Sequence, residues 1–157
     1  MADSHLFQMK LMEITRNKKA FFDYEILEMI EAGILLKGYE TKSIRANKIN
    51  LKGGYVTFRN EEAWLEQVDI SPYQPKNQPE ENTKKPRKLL LNKREIVKLV
   101  GQSETPGLTV VPLKVILNHN RIKIIIGLCR GKKQFDKRET IKKRATDREL
   151  RRTVKMR

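Results

Sequence analysis

One cysteine, Cys129, and two histidines, His5 and His119, are the whole supply of thiol and imidazole in 157 residues. A lone thiol cannot form an intrachain disulfide, and three such scattered side chains make no zinc-ligand set. That usage fits a reducing compartment, and a cytoplasmic location is expected. No apolar run approaches the roughly 18 residues a membrane helix needs. Lys10 and Glu13 interrupt the apolar residues of the first sixteen positions, so no signal peptide is expected. Internal repeats with a period of roughly 20 to 50 residues are missing as well.

Catalytic motifs are equally scarce. There is no Gly-x-Ser-x-Gly, and Cys129 lies in an apolar run where a thiol is ordinarily core. Gly127-Leu128-Cys129-Arg130-Gly131-Lys132-Lys133 is one residue short between its glycines for a phosphate-binding loop, and it has Lys133 where that loop needs Ser or Thr. Glu61 and Glu62 are adjacent, hence on opposite faces of a strand, and cannot work as a facing carboxylate pair. Neither an enzyme nor a cofactor is expected.

Positive charge is abundant. Lys and Arg number 34 against 19 Asp and Glu, a formal net charge of +15. Residues 130–157 hold thirteen of the basic residues and four of the acidic ones, more than half of the surplus. Like charge at this density opposes compaction and calls for a polyanion, with RNA or DNA the default; a solvated tail with no ligand is the bland alternative. Glu139 with Lys143 and Asp147 with Arg151 are favourable i,i+4 pairs, each contributing about 0.2–0.5 kcal/mol to a helix. Ile141, Ala145, Leu150 and Val154 form no single narrow stripe. The expectation is a tail, 131–157, that is disordered alone and helical against a partner.

The remainder suffices for one small domain. Residues 1–16 read as a flexible leader. Phe22, Ile26, Leu27, Ile30 and Ile34 recur at three- and four-residue steps with Gly33 following, which predicts a helix over 22–32. Ile34 to Gly38 reads as a buried strand. Tyr55–Arg59 and Ala63–Ile70 alternate around Asn60-Glu61 and predict an antiparallel hairpin. Four of six prolines fall at 72–86 and predict a long loop. Asn92 is placed to cap a short helix, and Leu108–Leu117 and Ile122–Cys129 read as strands around Asn118-His119-Asn120. Pro112 must sit at an edge or bulge. The class expected is mainly β with short helices: a small closed antiparallel barrel of the oligonucleotide-binding (OB) kind over 17–130.

Several blocks, in order and spacing from about residue 17 to 153, together resemble one bacterial family, small protein B, which binds transfer-messenger RNA. They are Asn17-Lys18-Lys19-Ala20, Tyr24-Glu25-Ile26-Leu27, Glu31-Ala32-Gly33-Ile34, Lys42-Ser43-Ile44-Arg45-Ala46, Asn50-Leu51, Ile70-Ser71-Pro72-Tyr73, Arg87-Lys88-Leu89-Leu90-Leu91, Pro112-Leu113, and Gly131-Lys132-Lys133 with Asp136-Lys137-Arg138-Glu139. The resemblance implies an OB-like barrel gripping the tRNA-like end of that RNA, standing in for its missing anticodon arm. It also implies delivery to stalled ribosomes with elongation factor Tu, as a monomer without a membrane partner. Glu31, Leu90 and Lys123 would face the RNA, supported by Asn17, Lys18, Arg87, Lys88, Lys132 and Lys133. Phe135, Asp136, Lys137 and Arg138 would open a tail that meets small-subunit rRNA near the decoding centre and empty message channel, Phe135 stacking on a base.

From the residues alone, Glu31 reads equally as a helix-end surface acid, and one leucine of 89–91 must be core. Lys123 is the firmer candidate, pointing away from the isoleucines beside it. Thr41, Asn47 and Glu61 depart from the family at a usual valine and two usual glycines, positions that bear on turn geometry and one strand. The competing readings are a general RNA-binding or ribosomal protein with the same barrel, and a metal-dependent nuclease.

Overall fold

The computed structural model describes residues 11–74, 82–132 and 134–155. Its elements follow in the order β1 (Leu11–Arg16), α1 (Lys18–Asp23), β2 (Tyr24–Ile34), α2 (Gly38–Arg45), β3 (Ile49–Asn50), β4 (Tyr55–Arg59), β5 (Glu62–Glu66), β6 (Asp69–Ile70), β7 (Arg87–Leu90), α3 (Lys93–Ser103), β8 (Leu108–Asn118), β9 (Arg121–Gly131) and α4 (Gln134–Lys155).

The two aliphatic runs near the carboxyl end make the longest hairpin. β8 and β9 turn through His119 and Asn120, with φ of 51° and 65°. Two left-handed residues in a two-residue loop match the right-handed strand twist. β4 and β5 turn the same way through Asn60 (φ 52°) and Glu61 (φ 61°), so Glu61 takes up a conformation better suited to glycine. Pro112 lies where the β8 register shifts against β9, at a bulge as expected.

β1, β8, β9, β2, β7, β5 and β4 form one antiparallel sheet in that order, and β3 pairs with β6. The mainly β character with short helices is as expected. The closed ring is not seen: β1 and β4 are the two edges, and among the described residues no ladder joins them. Packing replaces hydrogen bonding there. A Cβ on Gly54, just before β4, would lie 3.0 Å from Pro112 Cγ on β8 and 2.6 Å from Val68 Cγ2. The β4 edge is thus folded back on β8 by side-chain contact. Both edge strands are short, at six and five residues, which limits the unpaired backbone they present.

Three local expectations need correction. Residues 24–34 form a strand, not a helix. Ile30 and Ile34 are four apart, and a spacing of four keeps one face of a strand as well as of a helix; Phe22 belongs to α1, and a register shift after Ile26 turns that residue towards Val111 and Cys129 instead. Strand β9 decides between them, pairing from Tyr24 to Gly33. The buried strand expected over 34–38 is not there: β2 ends at Ile34, Leu35 is exposed, and Gly38 opens helix α2. The helix closes on the pair Asn47 N–H to Ile44 O and Lys48 N–H to Ser43 O, with Asn47 left-handed at φ 59°. Residues 11–16, expected to belong to a flexible leader, pair instead with β8; the rest of that expectation, 1–10, lies outside the described residues.

The main core fills one face of the sheet, with Ala32, Leu65, Leu89, Val115, Ile124 and Ile126 among its fully buried members. A smaller cluster on the opposite face, Ala20, Val111, Leu113 and Cys129, lies under α1. Burial pushes the Cys129 thiol up from 9.0 to about 11. Residues 134–155 form helix α4. Its described contacts with the body are Lys137 Nζ to Asp23 at 3.4 Å, and Lys137 and Arg144 over the Phe22 ring at 6.0 and 5.7 Å. Residues 141–150 are exposed, Ile141 and Leu150 included, so the absence of a core stripe holds.

Candidate nucleic-acid interface

Directly paired residues in an antiparallel sheet share a face, so the register places side chains without further argument. One row crosses five strands: Leu90 on β7, Gly33 on β2, Lys123 on β9, Ile116 on β8 and Glu13 on β1. The next row crosses four: Glu31, Ile125, Lys114 and Arg16. Both lie on the face opposite the main core, since the alternate residues Ala32, Ile124 and Val115 are the buried ones.

Glu31, Leu90 and Lys123 therefore come together on one outward surface. The glycine between the last two makes this possible: a Cβ on Gly33 would stand 3.1 Å from Leu90 Cβ and 3.5 Å from Lys123 Nζ. Leu90 is 51% exposed, while Leu89 takes the core position. Asn118 Nδ2 donates to Glu31 Oε1 at 3.1 Å, holding the carboxylate while leaving it acceptor sites for a base amino group or a 2′-hydroxyl. Beside this patch a shallow groove of about 380 Å³ is lined by Leu35, Arg45, Leu90, Arg121 and Lys123. Cations around an apolar floor can position phosphates, with shape supplying discrimination.

The supporting residues divide. Lys88 shares the Leu90 face and pairs with Glu62 at 3.2 Å. Lys18 is exposed on α1. Asn17 is 5% exposed and caps α1: its Oδ1 accepts from Ala20 N–H at 3.2 Å, and its Nδ2 donates to Pro112 O at 2.9 Å and Leu51 O at 3.3 Å. Arg87 points into the protein. Its Nε donates to Glu40, Nη1 to Val68 O at 2.8 Å and Nη2 to Thr83 O at 2.8 Å, with 4% of the residue exposed. Lys132 is tied to α1, its backbone N–H donating to Asp23 O at 2.9 Å and its Nζ to Phe21 O at 3.3 Å.

Of the tail residues, Lys133 lies outside the described residues. Phe135 and Asp136 fall in the first turn of α4, where only the backbone is described. Lys137 pairs with Asp23, and Arg138 is exposed. This end of the body also carries a cleft of about 720 Å³ lined by Asn17, Lys19, Lys52, Tyr55 and Lys84.

Sequence reading passed over Arg16, Phe21 and Lys114, which continue the outer face. Arg16 and Lys114 stand over the Phe21 ring at 5.1 and 5.8 Å from its centroid, and both approach Glu13 Oε1, at 3.1 and 3.7 Å. Only the register could have found them, because they are far from Lys123 along the chain or separated from it by a bulge. Among the described residues no cluster of three or more His, Cys, Asp or Glu could hold a metal ion. No described helix is long and apolar enough to cross a membrane.

A family model described as SmpB protein matches residues 14–156. An SsrA-binding protein of Gloeothece citriformis (strain PCC 7424) is 53% identical over 143 residues, covering 90% of this chain and 92% of the relative. One of Enterococcus faecalis (strain ATCC 700802 / V583) is 48% identical over 142 residues, with 90% and 92% covered. A solved structure described as "tmRNA-SmpB: a journey to the center of the bacterial ribosome" matches with a TM-score of 0.67 at 44% identity, covering 78% of this chain and 87% of that one.

Proposed function

Because this chain belongs to the SmpB family of SsrA-binding proteins, we propose that it grips the tRNA-like end of transfer-messenger RNA with the outer face of its sheet and meets the ribosome with its cationic carboxyl-terminal helix. It is a non-catalytic RNA-binding protein of trans-translation. The observation that carries the assignment of the surface is the meeting of Glu31, Leu90 and Lys123 across three strands, around a glycine over which Leu90 and Lys123 close.

In this reading Lys123 and Lys88 take phosphate oxygens, Leu90 packs on a sugar or base, and Glu31 accepts from a base amino group or a 2′-hydroxyl. Asn17 and Arg87 act from inside, fixing α1 and β7 rather than touching phosphate. Lys18, Lys132 and Lys133 support the RNA surface, and the start of α4 with Phe135, Asp136, Lys137 and Arg138 faces small-subunit rRNA at the decoding centre and the empty message channel. The body stands in for an anticodon arm, acts as a cytoplasmic monomer and rides in with elongation factor Tu. Closure of the sheet into a full barrel belongs to the same proposal; the packing of Gly54 on Pro112 supports it.

The test separates the two halves. A chain stopped after Lys133 should bind the isolated tRNA-like RNA with nearly full affinity and fail to rescue stalled ribosomes. Lys123→Ala should weaken RNA binding and lower its salt slope by about one unit. Equal loss of RNA affinity on removing the tail would refute the division. Equal displacement by bulk tRNA and by transfer-messenger RNA would point to a general RNA binder.

A further inference from the structure

The second row on the outer face ends in a feature that the Glu31–Leu90–Lys123 patch does not use. Lys114 and Arg16 follow Glu31 and Ile125 across β8 and β1, and both cations stand over one aromatic ring, Phe21, at the end of α1 where it packs on the smaller core cluster. A guanidinium and an ammonium sharing a fixed ring are held in a narrow range of positions, so less motion is lost when a third group binds them. Glu13 lies between them at 3.1 and 3.7 Å and neutralises part of their charge while the surface is empty. Arg16 keeps 45% of its side chain exposed and Lys114 keeps 26%. Between these cations and the patch, Ile125 and Ile116 continue the two rows, both half-buried.

We propose that Arg16 and Lys114, seated on Phe21, are a second set of phosphate contacts, extending the RNA footprint from β7 to the β1 edge of the sheet. The inference rests on the outer face being the RNA surface. From Leu90 to β1 is four strand steps, ~19 Å at the ordinary strand spacing. That is far wider than one phosphate group, so an RNA seated on Leu90 and Lys123 and continuing across β9 arrives at Lys114 and then Arg16 without leaving the sheet. Glu13 is the internal competitor: RNA phosphates must take its place as the partner of both cations. These contacts read no bases, since phosphate contacts fix orientation and register rather than sequence.

The experiment measures affinity of the full-length protein for the isolated tRNA-like RNA across a salt series, with thermal unfolding of each variant alongside. Arg16→Gln and Lys114→Gln should each weaken binding about three- to tenfold and each lower the slope of log affinity against log salt by about one unit. Glu13→Gln should do the opposite, tightening binding about two- to fivefold by releasing both cations. A cluster that merely pins the edge strand would behave differently. All three variants would then unfold at lower temperature with affinity and slope unchanged, and that result overturns the proposal. Lys123→Ala in the same series distinguishes the two levels of failure. If it weakens binding while Arg16→Gln and Lys114→Gln do not, the extension is wrong and the patch stands; if all three are silent, the outer face is not the RNA surface.

Discussion

Arg87→Met tests whether a cation predicted beside the RNA works on RNA at all. The side chain is 4% exposed and spends donors on Glu40, Val68 O and Thr83 O. Glu40, also 4% exposed, accepts at its other oxygen from Lys37 N–H at 3.0 Å, inside the first turn of α2. Removing the guanidinium leaves a buried carboxylate without its main partner and two carbonyls short of a donor. Breaking one side of a buried pair costs about 3–5 kcal/mol, partly because the remaining charge is stranded. Lys85 Nζ, 3.8 Å from Glu40, offsets some of this, so about 3 kcal/mol is expected. For a body of this size that lowers the unfolding midpoint by roughly 10–15 °C. The assay is urea and thermal unfolding of Arg87→Met, Glu40→Leu and the double variant, with RNA affinity measured well below the midpoint. The double variant should recover much of the loss, because two apolar side chains strand no charge. The salt slope of RNA binding should be unchanged in all three. A variant that keeps its stability but loses about one unit of slope would show that Arg87 reaches phosphate, and the inward reading would be refuted.

Gly33→Ala should weaken RNA binding while changing stability by less than about 1 kcal/mol, because the new methyl meets Leu90 Cβ at 3.1 Å and parts the two sides of the patch; unfolding and RNA titration on the same variant check it. Glu61→Gly should raise stability by about 0.5–1 kcal/mol in urea unfolding, since Glu61 sits at φ 61° and glycine adopts that conformation freely. Cys129, its pKa pushed up to about 11, should show about 0.1% thiolate at pH 8 and resist a thiol reagent until the protein unfolds. The sign for stability follows: burial favours the neutral thiol, so its contribution is complete below pH 9 and is lost as pH rises from 9 towards 11. Asn17→Ala should cost about 1–2 kcal/mol in the same unfolding assay, from the lost α1 cap and the two carbonyls it leaves unmet.

The elements legible in the sequence were those whose signal was local. Asn92 caps α3 as expected, its Oδ1 accepting from Glu95 N–H at 2.8 Å, because a cap is a matter of four consecutive residues. The hairpin at Asn60-Glu61, the pair of strands ending the body and the bulge at Pro112 were readable for the same reason. Strand β2 was not, because its inward Ile30 and Ile34 fit a helical step of four equally well, a register shift after Ile26 breaks the alternation, and Leu27 and Met29, 41% and 50% exposed, add apolar residues on the outside. Strand β1 was hidden likewise: Leu11 and Met12 are both exposed, and a bulge between Glu13 and Thr15 breaks the period. Only pairing partners distant in the chain settle such segments, and propensity cannot supply them.

The site shows the same division at a finer level. Which of Leu89 and Leu90 is core depends on which face of β7 meets the sheet interior, and nothing within the leucine run decides it. The register does, because Leu90 pairs with Gly33 and Leu89 with Ile34 and Ala63. Gly33 reads as a helix stop, yet its consequence lies across the sheet, in the close approach of Leu90 and Lys123 over it. Arg87 and Lys88 look alike as adjacent cations, but neighbours on a strand face opposite ways. One is committed to a buried carboxylate and the other is available to solvent. Charge counting could find that this molecule binds a polyanion; it could not tell cations that hold the fold from cations that hold the ligand. In a chain with 34 basic residues that distinction rests on burial, and burial is set by strand pairing. For the same reason Arg16 and Lys114, unremarked in the sequence, become candidates only once β1 is seen to lie beside β8.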